Sequence, residues 1–173
     1  MSIHIRQCTP ADAQALSEIG KSTFYETWRP TSTEENIRFY ISQTYDELLI
    51  KRYLNNGNNN YYVAEEDGKM IGYARLRVSN ENPGQLENYK CIELAHLYVR
   101  KKYISKKVGA ALLLQALKYS ADNNFDVIWL SSWEENLRAM TFYKKFGFEV
   151  FGKHKFIYGN KIDEDLLMMK KLK

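Results

Sequence analysis

Hydrophobic and polar positions alternate along several short segments of the chain, as expected for strands that bury one face. Residues 126–132 differ, because their unbroken apolar centre is typical of a strand buried on both faces. Together these patterns predict seven strands. They cover residues 3–7, 61–66, 69–79, 90–99, 126–132, 149–157 and 165–171. Asp67-Gly68 predicts a hairpin turn, because both turn positions need positive φ.

Apolar positions three and four residues apart, combined with capping residues, predict five helices. One begins at Thr9-Pro10, with threonine as the N-cap and proline at the first helical position. Another begins within residues 31–36, where Ser or Thr precedes Glu in the manner of a capping box. The others cover residues 46–55, 108–123 and 136–146. Asn136 caps the last helix and Gly147 stops it.

The order of these elements is β, α, α, α, β, β, β, α, β, α, β, β. This order predicts an α/β sandwich in which helices cover a mostly antiparallel sheet with one parallel crossover. Residues 1–173 fit a single domain, with no linker or internal repeat. The final strand, residues 165–171, is predicted to be an exposed edge that could pair across a homodimer.

Composition narrows the classes of function. Hydrophobic residues make up 45% and charged residues 27% of the chain, which is ordinary for a soluble globular protein. The net charge of +4 suits an anionic ligand, but no basic stripe or reading module predicts nucleic-acid binding. The absence of a membrane-length apolar run or signal-peptide core predicts a cytoplasmic protein without membrane association. Cys8 and Cys91 lack metal-ligand spacing, so we expect free thiols and no metal site.

A basic loop precedes the predicted helix at residues 108–123. Unpaired N–H groups and the positive dipole end at a helix start can hold a phosphate. Lys106 and Lys107 add positive charge, and the small residues Gly109 and Ala110 would let a ligand approach the backbone. Taken alone, the same segment is more typical of a basic surface turn followed by a small-residue packing face.

The helix at residues 136–146 carries a second candidate group. Asn136, Ala139 and Tyr143 recur at three and four residues, so they share one helix face. A tyrosine in this position could hold or deliver a proton. The alternative is a core tyrosine whose hydroxyl is satisfied.

Three segments in order resemble the coenzyme-A-binding core of the GNAT family of N-acetyltransferases. They are Glu93-Leu-Ala-His-Leu-Tyr-Val99, Val108-Gly-Ala-Ala-Leu-Leu113, and Asn136-x-x-Ala-x-x-Phe-Tyr-x-Lys-x-Gly-Phe148. The resemblance implies a central sheet with helices on both faces and a splayed pair of parallel strands. It also implies direct transfer of an acetyl group from acetyl-CoA to a primary amine.

The resemblance further implies a set of residues that hold CoA. They are Leu97, Tyr98, Val99, Ile104, Ser105, Lys106, Lys107, Val108, Gly109, Ala110, Asn136 and Lys145. Asn136 is expected to hydrogen-bond the pantetheine arm. Ile104 departs from the family's Gln or Arg, and Lys107 stands where the earlier Gly is usual. These departures affect the expected geometry of the loop more than the expected binding of CoA, because Lys107 still offers its backbone N–H to the pyrophosphate.

Three residues are candidates for proton transfer. The resemblance gives Tyr143 the role of general acid toward the departing thiolate, and Glu93 that of a base acting through water. His96 is the alternative base, because imidazole titrates near neutral pH. Glu93 and His96 are an odd number of residues apart, so on a regular strand they face opposite sides and only one faces the acceptor.

The C-terminal segment resembles the ending of the bacterial PaiA-type acetyltransferases, which act on polyamines. The pattern is Gly152-x-His-x-Phe156, a turn with Gly159, then Asp165-Leu-x-Met. A polycation needs carboxylates and aromatic faces. The residues expected to contact such an acceptor are Tyr25, Glu26, Trp28, Trp133 and Glu134. The alternatives are acetylation of a protein N-terminus, a lysine or another small amine, or a CoA-binding sensor without turnover.

Overall fold

A computed structural model describes residues 3–173, and within them the chain forms seven strands and five α-helices. The strands are β1 His4–Gln7, β2 Asn59–Glu66, β3 Lys69–Arg77, β4 Cys91–Val99, β5 Val127–Trp133, β6 Glu149–Tyr158 and β7 Lys161–Lys171. The helices are α1 Ala13–Trp28, α2 Glu34–Thr44, α3 Glu47–Leu54, α4 Val108–Asp122 and α5 Leu137–Lys145. No helix in this part of the chain is both long and apolar enough to cross a bilayer.

The sheet is mixed and has the strand order β1-β2-β3-β4-β5-β7-β6. Every neighbouring pair is antiparallel except β4 and β5. The prediction of a mostly antiparallel sheet with one parallel crossover is therefore confirmed. The parallel pairing joins only Cys91–Glu93 to Val127–Trp129. Beyond that point the two strands separate, and their C-terminal halves leave a gap in the sheet.

The prediction that residues 165–171 form an edge strand is wrong. β7 lies between β5 and β6, so β6 forms the edge at this end of the sheet. The centre of β7 is the buried run Leu166, Leu167 and Met168, which is the pattern of an interior strand. The hairpin that joins β6 and β7 could add to the sheet in either order, and the buried run decides which strand lies inside.

Helices cover both faces of the sheet, as the sequence resemblance implies. On one face, Tyr62 and Ala64 of β2 pack in a cluster with α4 and α5 residues. On the other, their neighbours Tyr61 and Val63 pack in a cluster with α1, α2 and α3 residues. The alternation along β2 thus divides the core into two layers.

A β-bulge interrupts β4 near its middle. Arg75 of β3 pairs with His96, whereas the next residue, Leu76, pairs with Leu94, so Ala95 is the additional residue. Arg75 and Arg77 lie two apart on β3 and share a face. Their partners His96 and Glu93 therefore share that face too.

Candidate active site

Two cavities meet where β4 and β5 separate. The inner cavity, of about 430 Å³, lies between the sheet and helices α1 and α2. The outer groove, of about 990 Å³, runs past the loop before α4 and along α5. Six residues border both spaces, and we call them the junction: Thr27, Leu97, Tyr98, Asn136, Ala139 and Tyr143. A molecule in the inner cavity and one in the outer groove would touch only here.

The outer groove collects most of the residues predicted to hold CoA. Those that border it are Leu97, Tyr98, Val99, Ile104, Ser105, Lys107, Gly109, Ala110, Asn136 and Lys145. Lys106 and Val108 do not border it. Val108 is buried in the core beneath α4, and the Lys106 ammonium lies 5.0 Å from the centre of the Tyr103 ring.

The N-terminus of α4 offers backbone donors to this groove. Its N-cap, Lys107, has a left-handed backbone with φ of 65° and makes no side-chain cap. The first bond of the helix runs from the Ala111 N–H to the Lys107 carbonyl, at 3.0 Å. The preceding N–H groups of the first turn therefore need an external partner, and a phosphate suits them.

Two further basic residues border the groove and were missed by the sequence reasoning. Lys101 lies in the loop after β4, and Arg138 lies in the first turn of α5. Arg138 donates a hydrogen bond of 3.2 Å to the Ser105 hydroxyl. A cation in the first turn of a helix is unfavourable with respect to the dipole. That local conflict is the signal that could have identified Arg138.

Tyr143 lies at the junction, on the helix that Asn136 caps. The Asn136 side-chain oxygen accepts a hydrogen bond of 3.1 Å from the Ala139 N–H, which confirms the predicted cap. Burial raises the pKa of the Tyr143 hydroxyl above its ordinary value of 10.0. The hydroxyl therefore stays protonated at neutral and mildly alkaline pH and can serve as a proton donor.

Both candidate bases border the inner cavity, so the expectation that they face opposite sides is wrong. The regular alternation of a strand fails here because the bulge at Ala95 inserts one residue between them. Glu93 accepts a hydrogen bond of 2.7 Å from the Arg77 Nε. His96 is buried, with its Nδ1 3.4 Å from the Tyr73 hydroxyl. Burial, reinforced by Arg75 and Arg77, holds the pKa of His96 well below 6.5, so this imidazole is neutral at physiological pH.

Arg75 is a charged group in the inner cavity that the sequence reasoning missed. Only 4% of the residue is exposed. Its Nε and Nη2 donate to the Asn59 side-chain oxygen at 3.0 and 2.7 Å, and its guanidinium lies 4.1 Å from the centre of the Tyr53 ring. Within residues 3–173 no carboxylate lies within 4.0 Å of it. Its positive charge is thus held by an amide and by the aromatic faces of Tyr53 and Tyr61.

A second charged group that was missed lies across the same cavity. The Asp165 carboxylate accepts a hydrogen bond of 2.6 Å from the Ser131 hydroxyl, whose oxygen lies 2.8 Å from the His154 Nε2. Burial raises the pKa of Asp165 above its ordinary value of 3.8. Ser131 donates to the carboxylate rather than to the histidine, so the arrangement differs from a hydrolase triad, in which histidine takes the serine proton. Asp165 stands in the sequence motif Asp-Leu-x-Met, where it was read only as part of a strand.

The residues predicted to contact the acceptor divide between the two spaces and the surface. Trp28 and Trp133 border the inner cavity, with ring centres 5.5 Å apart. Glu26 borders the outer groove instead and accepts a hydrogen bond of 3.3 Å from the Lys101 N–H. Tyr25 and Glu134 border neither space, and Glu134 forms an ion pair of 3.1 Å with Lys153.

One internal cation lies over both tryptophans. The Lys161 ammonium is 5.8 Å from the centre of the Trp28 ring and 5.4 Å from that of Trp133. It also forms an ion pair of 2.8 Å with Asp163. These two aromatic rings therefore already face a lysine of the same chain.

Comparisons with known proteins identify the family of this chain. Residues 14–148 match the family model described as the acetyltransferase (GNAT) family. A spermidine N(1)-acetyltransferase of Thermoplasma acidophilum is 28% identical over 154 residues, covering 87% of this chain and 90% of the relative. A protein of Lactobacillus delbrueckii subsp. lactis, named as an uncharacterized N-acetyltransferase, is 25% identical over 170 residues and 98% of both chains.

A solved structure is also similar over nearly the whole chain. It is the PaiA N-acetyltransferase of Thermoplasma acidophilum in complex with coenzyme A. The two structures superpose with a TM-score of 0.80 at 28% identity, and the match covers 99% of each chain. The likeness therefore extends over the whole fold.

Proposed function

This chain belongs to the GNAT acetyltransferase family, and from that premise we propose that it moves the acetyl group of acetyl-CoA to a primary amine of a polyamine such as spermidine or spermine. The junction carries the proposal. It is where the outer groove, with its basic residues and the free N-terminus of α4, meets the inner cavity, and it contains a protonated tyrosine. The two substrates of an acetyl transfer need such a meeting point.

The outer groove has the chemistry to hold acetyl-CoA. The N–H groups at the start of α4 would donate hydrogen bonds to the pyrophosphate, and Lys107 and Arg138 would add positive charge. The gap between β4 and β5 would admit the pantetheine arm, with Asn136 beside it. Bound in this way, acetyl-CoA supplies a thioester at the junction.

The residues of the chain would then handle two protons and one negative charge. Glu93 takes the proton of the attacking amine, directly or through water, with His96 as the alternative base. A backbone N–H in the segment Leu97 to Val99 stabilises the oxyanion. Tyr143 gives its proton to the departing thiolate.

Transfer is direct, without an acyl-enzyme on cysteine. Cys8 and Cys91 are both buried, and neither borders the inner cavity or the outer groove. Burial also raises the pKa of both thiols, that of Cys8 to about 12. A buried thiol of this kind is not the thiolate that nucleophilic attack requires.

The polyamine assignment is supported by the relative named a spermidine N(1)-acetyltransferase and by the inner cavity itself. The cavity is bordered by two carboxylates, Glu93 and Asp165, and by the aromatic rings of Tyr40 and Phe156, besides the two tryptophans that face Lys161. Carboxylates and aromatic faces both attract alkylammonium groups.

One residue favours a second candidate acceptor. Arg75 is buried beside the inner cavity and lacks a carboxylate partner, so an amine that also carries an acidic group would pair with it. Amino acids and peptides have that chemistry. The two candidates thus differ in the charge expected at the far end of the acceptor.

Three acceptors with the same four-carbon chain separate these candidates: 1,4-diaminobutane, 1-aminobutane and 4-aminobutanoate, which end in an ammonium, a methyl and a carboxylate. The measurement is kcat/KM for thiol release from acetyl-CoA. The polyamine proposal expects the diamine to be the best of the three, with spermidine and spermine at least as good. A preference for 4-aminobutanoate would favour the second candidate and contradict the first.

A further inference from the structure

We propose that Asp165 is the specificity residue that holds a second ammonium group of the acceptor, an inference that rests on the polyamine assignment. A polyamine in the inner cavity would present its reacting nitrogen at the junction and a charged nitrogen elsewhere. Asp165 borders the inner cavity but not the outer groove, and so does not contact the junction's CoA side. Glu93 borders the same cavity but lies on β4 where the gap begins, whereas Asp165 lies on β7, beyond β5, and is placed for the far nitrogen.

The position of Asp165 in the sheet sets the length of acceptor that would reach it. Asp165 pairs with Trp133 of β5, the strand that borders the gap. Neighbouring strands lie about 4.8 Å apart, so Asp165 is roughly one to two strand spacings from the gap. The aliphatic spacer of a short diamine covers a distance of that order.

Charge balance separates Asp165 from the other carboxylate of the cavity. Glu93 already has a permanent cation, since it forms an ion pair with Arg77. Within residues 3–173, no lysine or arginine pairs with Asp165, and its nearest basic group is the His154 Nε2 at 3.8 Å. Asp165 is therefore the carboxylate of the inner cavity that a ligand cation can neutralise.

The hydrogen bonding of Asp165 is incomplete. Its side chain is only 9% exposed, and Oδ1 is enclosed without any hydrogen-bond partner among the described residues. A buried carboxylate with an unsatisfied oxygen is unfavourable. An ammonium group brought to this carboxylate would offset that cost, which is a physical reason for the site to prefer a cation.

A relay of two side chains orients the carboxylate. The Ser131 hydroxyl has one hydrogen and donates it to Asp165 Oδ2, so its contact with His154 requires the histidine to donate from Nε2. Ser131 lies on β5 and His154 on β6, on either side of β7. The carboxylate is thus fixed from both neighbouring strands before an acceptor arrives.

The test compares wild type with Asp165→Asn, using 1,4-diaminobutane and 1-aminobutane as acceptors. The variant keeps the shape and the bond from Ser131 but removes the charge. We expect the preference for the diamine, taken as a ratio of kcat/KM values, to fall roughly 10- to 100-fold, through KM rather than kcat. An unchanged ratio would overturn the inference while leaving acetyl transfer to polyamines intact.

Glu164→Gln is the matched control. Glu164 is the preceding residue of β7, is exposed, and pairs with Lys153 outside the inner cavity. It should retain the wild-type preference, and thermal denaturation of all three proteins checks that they are folded. A loss of preference in Glu164→Gln equal to that in Asp165→Asn would also overturn the inference.

A binding measurement keeps the inference apart from the polyamine assignment. If wild type acetylates no diamine, that assignment fails, and calorimetric titration of 1,4-diaminobutane into both proteins decides the role of Asp165. Binding to wild type that is lost in Asp165→Asn would support the role of Asp165 in holding the second ammonium group. Equal binding, or none to either protein, would refute it.

Discussion

Glu93 and His96 face the same cavity although an odd number of positions separates them along β4. The bulge at Ala95 is the cause, because it shifts the alternation of the strand by one residue. Both candidate bases therefore reach the acceptor side, and their surroundings distinguish them. His96 is buried and neutral, whereas Glu93 is held by Arg77.

We predict that Glu93→Gln shifts activity to higher pH. Without this carboxylate, the amine loses its proton to solvent, and the reaction follows the fraction of free amine. Turnover at pH 7 should fall roughly 10²- to 10⁴-fold. It should recover partly as the pH rises toward the pKa of the amine. The measurement is kcat/KM between pH 6 and 10.

His96→Gln is the comparison for that profile. Because the pKa of His96 lies well below 6.5, its imidazole is already deprotonated throughout this range and cannot produce a limb there. The pH profile of kcat/KM for His96→Gln should therefore have the same shape as that of wild type. A wild-type profile in Glu93→Gln, with a shifted one in His96→Gln, would move the base to His96.

We predict that Tyr143→Phe lowers kcat about 100-fold or more with little change in CoA affinity, because the hydroxyl acts only when the thiolate departs. Burial keeps the pKa of Tyr143 raised, so the wild-type enzyme should show no loss of activity from its ionisation up to about pH 9. Tyr89→Phe, at an exposed position outside both spaces, is the control. Full activity in Tyr143→Phe would refute the general-acid role.

The left-handed backbone at Lys107 predicts that replacing this residue with glycine raises the stability of the fold but weakens CoA binding. A non-glycine residue with φ of 65° carries about 1 kcal/mol of strain. Lys107→Gly should therefore raise the melting temperature by about 2–4 °C. It should also weaken CoA binding by up to roughly tenfold through loss of the charge.

Lys106→Gly removes the same charge one position earlier, at a residue that does not border the outer groove. CoA affinity should stay close to that of wild type. Equal weakening by both substitutions would mean that the loop contributes only a general positive field, and that Lys107 has no specific role.

The raised pKa of Asp165 predicts a pH-dependent stability. A carboxyl group whose folded pKa lies above its unfolded value loses stability as the pH rises through that interval. Asp165→Asn should therefore melt above wild type at pH 7, and the difference should disappear as the pH falls below 3.8. Lower stability of the variant at pH 7 would show that the charge is well compensated without a ligand.

Local sequence patterns predicted the helices and strands, and most of the residues expected to hold CoA in the outer groove. The cap at Asn136, the start of α4 and the hairpin at Asp67-Gly68 depend on residues close in sequence, and each element forms as expected. Arg138 also has a local signal, which is a positive charge in the first turn of a helix.

The inner cavity depends on pairings distant in sequence, and there the reasoning fell short. Arg75 reaches the cavity through the pairing of β3 with β4, and Asp165 through the placement of β7 beside β5. No local pattern encodes either arrangement. The bulge at Ala95 is likewise invisible to an alternation argument, which assumes a regular strand.

The most direct test of the central claim is thiol release from acetyl-CoA by wild type with spermidine, spermine, a lysine peptide and buffer alone. We predict rapid release with either polyamine, little with the peptide or buffer, and a matching yield of acetylated polyamine by mass spectrometry. CoA binding without release in the presence of any amine would contradict the account and leave a sensor without turnover.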